Sequence, residues 1–312
     1  MFVVRRLRVW LLVTAVLALG ATDAASQGSW QRGAPLPVPR SEVAATALGD
    51  EIVVVGGFLR SGASSTRVDA YSPRRNRWRR LPDLPEGVNH AMAAAAGGRL
   101  YVVGGYRDGM NLTSAFVLDG GAWRALPELP RPRAAAGAAV VGGLLVVAGG
   151  VGPDGLAQEA LAFGLRTERW SLIPGPTPRE HLGVAALDGR VYAVGGRTAG
   201  FDTNLQLVEA YSPGSRRWRS LPAVPEPRGG TDVAAAAGRL ISAGGEETEG
   251  TIGSVYAFDP KTRRWSGLPD LPTPRHGLAV VGLGERVYVI AGGLTPGLSV
   301  SSANESLLVA QG

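Results

Sequence analysis

No cysteine occurs in the 312 residues. No disulfide can staple this fold, so its stability must come from packing and from how the chain closes on itself. No lipid can be attached through an N-terminal cysteine either. Histidine is scarce, with three copies, and lysine occurs once, at Lys261. The other cations are arginines, a compositional bias rather than a function. Sustained helical spacing is missing beyond the N-terminus. Also missing are a Gly-x-Ser-x-Gly nucleophile turn, a phosphate-binding loop and a His-Glu-x-x-His metal motif. The commonest hydrolase and nucleotide chemistries therefore have no support in the sequence.

The first residues read as a targeting segment. Arg5, Arg6 and Arg8 form a basic start, Val9 to Gly20 is apolar, and small residues follow from Ala21 to Ser26. The apolar run falls short of the roughly 20 residues that span a bilayer, and Asp23 closes it early. We read residues 1–26 as a signal peptide, cleaved near Ala24 to Gln27, and expect a secreted or periplasmic protein with no stable membrane insertion afterwards. Removing the three leader arginines and Asp23 lowers the formal charge from +6 to +4. The densest basic stretch is Arg74, Arg75, Arg77, Arg79 and Arg80. It reads as a solvated turn and outer strand, and no nucleic-acid partner is expected.

What the chain does have is a repeat. Gly-Gly ends a short apolar run at Gly56-Gly57, Gly104-Gly105, Gly149-Gly150, Gly195-Gly196, Gly244-Gly245 and Gly292-Gly293, at intervals of 45 to 49 residues. Tryptophan recurs in step at Trp30, Trp78, Trp123, Trp170, Trp218 and Trp265. Seven residues before the last five of these stands Tyr71, Phe116, Phe163, Tyr211 or Phe258. A Pro-Arg turn precedes most doublets, at Arg40, Arg133, Arg179, Arg228 and Arg275, and Gly87-Val88-Asn89-His90 replaces it in the second unit. Runs such as Ile52 to Val55 are β-branched and bounded by Gly and Pro, which are strand and turn signals. A period of this length holds four strands, the size of one propeller blade.

In these features the chain resembles the Kelch-repeat β-propeller family, in particular bacterial secreted Kelch proteins. The resemblance covers nearly all of residues 27–312 and implies an all-β, six-bladed propeller. Trp30 precedes the first doublet and no tryptophan follows the last, so the N-terminal segment must complete the final blade by pairing with a strand near Ser301 to Val309. Such a join removes the open edge. It needs no partner copy, so a monomer is expected. The glycines should permit positive φ and close backbone approach, and the tryptophans should pack between blades. Copper-radical oxidases share the repeat but need a cysteine crosslinked to tyrosine, so that chemistry does not carry over. No cofactor or metal is expected.

The lead-in to each innermost strand should sit at one mouth of the central channel. In Kelch adaptors of ubiquitin ligases, arginines and serines there hold an acidic peptide. Arg40, Arg133, Arg179, Arg228 and Arg275 match those arginine positions, but Ser41 alone matches a serine. All three histidines, His90, His181 and His276, also fall at these lead-ins, in units two, four and six, with His276 one register early. We take these eight residues as a ligand-binding ring suited to an acidic glycan, a peptide or a small anion. Three imidazoles could hold a metal in chemical terms, but the channel is expected to be too wide. A sugar mutarotase or epimerase on the same face is the alternative, with Glu180 or Glu246-Glu247 as general base. A structural interaction platform of the cell envelope is the third reading.

Overall fold

The computed structural model describes residues 28–310. The leader expected over residues 1–26 lies outside them. Six four-stranded antiparallel sheets surround a central channel. In the first blade the order from axis to rim is Ala44–Leu48, Glu51–Val55, Val68–Ser72 and Arg77–Arg80. The next four blades repeat it, starting from Met92–Ala96, Gly137–Val141, Gly183–Leu187 and Asp232–Ala236. The sixth takes Ala279–Leu283, Arg286–Ile290 and Asn304–Leu308 from the C-terminal end and its outermost strand, Gln31–Arg32, from the N-terminal end. Gln31 pairs with Ser306 and Arg32 with Glu305, so the expected join is present. No helix among the described residues is long and apolar enough to cross a membrane.

Six apolar clusters fill the six wedges between neighbouring blades. This follows from the strand pattern: both faces of each sheet are covered by other blades, so the second strand of a blade is an apolar run such as Ile52 to Val55, all fully buried, interrupted in the fifth blade by buried Ser242. The tryptophans tie the wedges. Each indole N–H donates to a backbone carbonyl of the preceding blade or its outer connection at 2.8–2.9 Å: Trp30 to Pro269, Trp78 to Ala34, Trp123 to Pro82, Trp170 to Pro127, Trp218 to Pro174 and Trp265 to Pro222. Four of them also tilt against the Tyr or Phe seven residues earlier.

The doublets act as the repeat suggests. The N–H of Gly57, Gly105, Gly150, Gly196 and Gly245 donates to the carbonyl that precedes the next blade's innermost strand, on Val88, Arg133, Arg179, Arg228 and Arg275. A side chain on the glycine before it would overlap that same carbonyl. In the sixth blade the pair in register is Ala291-Gly292, since Gly292 donates to Arg40 and Ala291 has φ 60°. The visible Gly292-Gly293 doublet is therefore one residue out of structural phase.

Candidate functional site

The structure corrects the placement of the five arginines. Arg40, Arg133, Arg179, Arg228 and Arg275 are at most 2% exposed and point back into their own blades, away from the channel. Arg275 donates to the carbonyls of Thr273, Val289 and Ala291 and pairs with Glu305 at 2.6 Å. Arg179 does the same with Thr177, Ala193, Gly195 and Glu209. Arg40 bonds Gly56, Arg67 and Asp69. Arg133 has two carbonyls and no acid, and Arg228 pairs with Glu226 while lying over the Tyr256 ring at 5.0 Å. A buried guanidinium is retained because its fork matches several acceptors at once. Burial draws Arg40 and Arg133 down to about 10, still far above neutrality, so the charge persists. In the second blade buried Val88 takes the arginine's place within an apolar wedge.

The mouth is built instead from three sets of equivalent positions. In every blade one residue of the lead-in bridges one residue of the loop after the doublet: Ser41 with Phe58, Asn89 with Tyr106, Ala134 with Val151, Glu180 with Arg197, Gly229 with Glu246 and His276 with Gly293. The residue after each lead-in position then faces the axis. These six are Glu42, His90, Ala135, His181, Gly230 and Gly277, all left-handed with φ between 49° and 65°. Each donates its N–H to the carbonyl of its neighbour in the preceding blade at 2.7–3.2 Å, which closes a ring of six backbone hydrogen bonds around the channel. Left-handed backbone favours glycine, yet four ring positions carry side chains. Gly277 has a second reason to be glycine, because a methyl there would overlap the Glu42 carboxylate.

His90 and His181 therefore share one ring with Glu42, while His276 belongs to the outer set, as its early register indicated. His90 Nε2 lies 3.0 Å from His181 Nε2 and 3.2 Å from Glu42 Oε2. His276 Nδ1 sits between Glu42 Oε1 at 3.2 Å and Glu246 Oε2 at 3.3 Å, and its Nε2 donates to the Thr295 carbonyl at 3.1 Å. The channel is thus narrow enough for side chains of different blades to touch. Burial opposes ionisation of Glu42, but His90, His276 and His181 outweigh it and hold the carboxyl far below its usual range. Burial, together with His181, lowers His90 to about 4 against the pull of Glu42. His276 moves the other way: burial disfavours its charge, but Glu42 and Glu246 raise it above the ordinary histidine value.

Arg197 was not singled out by the sequence reading. It donates through Nη1 to Glu246 at 2.8 Å and through Nε to Glu180 at 3.3 Å, and it lies over Phe201 at 4.9 Å. Glu180 and Glu246, two of the three candidate general bases of the mutarotase reading, are thus held by one guanidinium, while Glu247 is exposed. Burial raises Glu180, but His181 and Arg197 bring it below the usual carboxylate range, which weakens it as a base near neutrality. The signal was present: Arg197 and Glu246 each stand directly after a doublet, as do Phe58 and Tyr106.

Above the ring the mouth opens into a cavity of about 630 Å³. Its floor is Glu42, His90, His181, Arg197, Glu246 and His276, and its walls include Phe58, Tyr106, Phe201 and Leu298. Below the ring the channel narrows to about 120 Å³ and reaches Asp232, which accepts backbone N–H groups from Val233 and Val280. The far end is lined by alanine and valine. With Glu180, the floor holds three carboxylates against one guanidinium, so with neutral imidazoles it is not a basic ring.

Comparison with known proteins agrees with the architecture. The family model described as "KLHDC2/KLHL20/DRC7 Kelch-repeats domain" matches residues 128–293, and the Kelch motif matches residues 39–85 and 90–130. The chain belongs to the Kelch-repeat family, and its six-bladed propeller is of the kind that generally serves as a protein-interaction module. It is 27% identical over 240 residues to Kelch-like protein terF of Aspergillus terreus, covering 70% of this chain and 52% of that protein. It is 33% identical over 94 residues to human Kelch repeat and BTB domain-containing protein 13, covering 28% of this chain and 20% of that one. With human Kelch-like protein 4 it shares 40% identity over 63 residues, 20% of this chain and 8% of that protein. The chain thus spans about half the length of the first relative and far less of the other two.

Proposed function

We propose that this chain is an exported binding module that takes a polypeptide segment of a partner protein at the histidine–glutamate mouth. The observation that carries the reading is the 630 Å³ cavity whose walls come from four blades: Phe58, Tyr106, Phe201 and Leu298. Aromatic walls over a polar floor suit an inserted aromatic side chain with a hydrogen-bonding tip, such as tyrosine or tryptophan. The leader-like residues 1–26 support export to the periplasm or medium, and the paired outer strand of the sixth blade supports a monomer. An acidic glycan or small anion gains no support from the five arginines, because their side chains are buried inside the blades.

Display selection of random peptides against the purified protein tests this. The expected result is a set sharing one aromatic position, with binding at least about tenfold weaker, or roughly 1.4 kcal/mol, in Tyr106→Ala and Phe201→Ala while melting is unchanged. Peptides that bind both variants like the wild type would overturn it. So would binding confined to acidic sugars.

A further inference from the structure

The surroundings of His90 fix its tautomer. Asn89 Nδ2 donates to Ser64 Oγ at 2.8 Å and to the Tyr106 carbonyl at 3.3 Å. A carbonyl only accepts, so the amide orientation is settled and Asn89 Oδ1 faces His90 Nδ1 at 2.5 Å. His90 must therefore donate from Nδ1. His181 Nδ1 lies 3.2 Å from Glu180 Oε1, a carboxylate anchored by Arg197, but makes no hydrogen bond there. In a neutral His90 ring Nε2 is then a lone pair. It faces His181 Nε2 across 3.0 Å and the Glu42 carboxylate oxygen across 3.2 Å. The His90 lone pair and the carboxylate oxygen converge with no hydrogen between them, and a cation that joins both to His181 Nε2 removes their repulsion. In the neighbouring cluster the His276 ring already lies between the carboxylates of Glu42 and Glu246, with Nδ1 3.2 and 3.3 Å from their oxygens.

We propose that Glu42, His90 and His181 form a binding site for a divalent first-row transition metal, with zinc the best match. The three ligand atoms lie within 4.8 Å of one another. With bonds of roughly 2.0–2.2 Å, a tetrahedral zinc sets its ligands about 3.3–3.6 Å apart. The observed 3.0 and 3.2 Å edges are within a few tenths of an ångström of that. Two imidazoles and one carboxylate are a zinc-type donor set that leaves a position open. Glu180 and Asn89 supply the outer contacts that orient metal-bound histidines. Phe58 and Tyr106 hold His90 edge-on at 5.6 and 5.4 Å. The three ligands line the cavity, so water or an oxygen of a bound partner can reach the open position from it. A dication also offsets the excess of carboxylates on the floor. The site does not depend on the nature of the partner.

Titration of chelator-treated full-length protein with Co²⁺, followed by visible absorption and by displacement with Zn²⁺, tests the site. The expected result is one equivalent bound with d–d bands of four- or five-coordinate cobalt, lost on adding zinc. Glu42→Gln and His90→Gln, both close in shape to the native residue, should each weaken Co²⁺ binding at least 100-fold. Glu180→Gln should weaken it about 10–100-fold through the orientation of His181. Lack of saturable Co²⁺ binding by the folded wild type overturns the site. Equal affinity in wild type and Glu42→Gln, with both shown to be folded by their melting curves, overturns it as well.

Discussion

Trp30 donates its indole N–H to the Pro269 carbonyl at 2.8 Å, across 239 positions of sequence. It is the sixth member of a set in which every blade grips the one before it, and it is the member that closes the circle. Gly33 and Leu36 add backbone bonds to Asn304 and Ser302, and Asn304 returns a side-chain bond to Ala34. Removing residues 27–37 should therefore expose Asn304–Leu308 as an edge and lower the melting temperature of the whole ring. Trp30→Ala alone should cost about 3 kcal/mol. Hydrogen exchange at Asn304–Leu308 checks both: protection should fall first there, whereas a loose tail would leave it unchanged.

The arginine clamps differ in what they neutralise. Arg275→Ala leaves buried Glu305 without its cation, with the Thr273 hydroxyl still donating to it, and takes a donor from three carbonyls. Its expected cost is about 3–5 kcal/mol. Arg133→Ala strands two carbonyls but no charge, and should cost about 1–3 kcal/mol. Urea unfolding of the two variants should show that order. Equal losses would contradict the assignment of the acid as the costly partner.

Asp232 gives the fold a pH slope of definite sign. Burial raises its carboxyl from 3.8 to about 7, although Val280 and Val233 donate to it. The folded state thus holds a proton that the unfolded chain releases, so between about pH 4 and 7 this group makes stability fall as pH rises, and above 7 its contribution levels off. Asp232→Asn should lack that slope. Urea midpoints at pH 5, 6, 7 and 8 should show the wild type losing ground to the variant as pH rises. A constant difference would show that Asp232 titrates normally.

Arg197 joins Glu180 and Glu246 in two directions at once. Lysine is a point charge without the fork. Arg197→Lys should therefore behave like Arg197→Ala in losing affinity for selected peptides, with only a small change in melting. Full binding by the lysine variant would mean that charge alone matters there.

The blade number, the join and the doublet chemistry were legible because each is repeated, and a fixed period exposes positions that any single unit hides. The mouth was less so. His90, His181 and His276 were found through their scarcity and their shared place in the repeat. The arginines were misplaced because a Pro-Arg turn gives the position of a residue but not its direction. The acids that draw three of them inward, Asp69, Glu209 and Glu305, lie about 30 residues further on, each in the third strand of its blade. Glu42 was passed over as a candidate because three of its five equivalents are Ala135, Gly230 and Gly277, and only the ring of backbone bonds shows that they share a place with His90 and His181. Phe58, Tyr106 and Arg197 escaped because the loops after the doublets vary in length, yet the residue directly after each doublet is fixed by its bridge to the lead-in.

A crystal structure of the protein with a peptide recovered by selection tests the central claim most directly. The account predicts one peptide side chain inside the space bounded by Phe58, Tyr106, Phe201 and Leu298, with its tip over the histidine–glutamate floor. A peptide seated at the alanine-lined end of the channel, or along the outer strand of a blade, would contradict it.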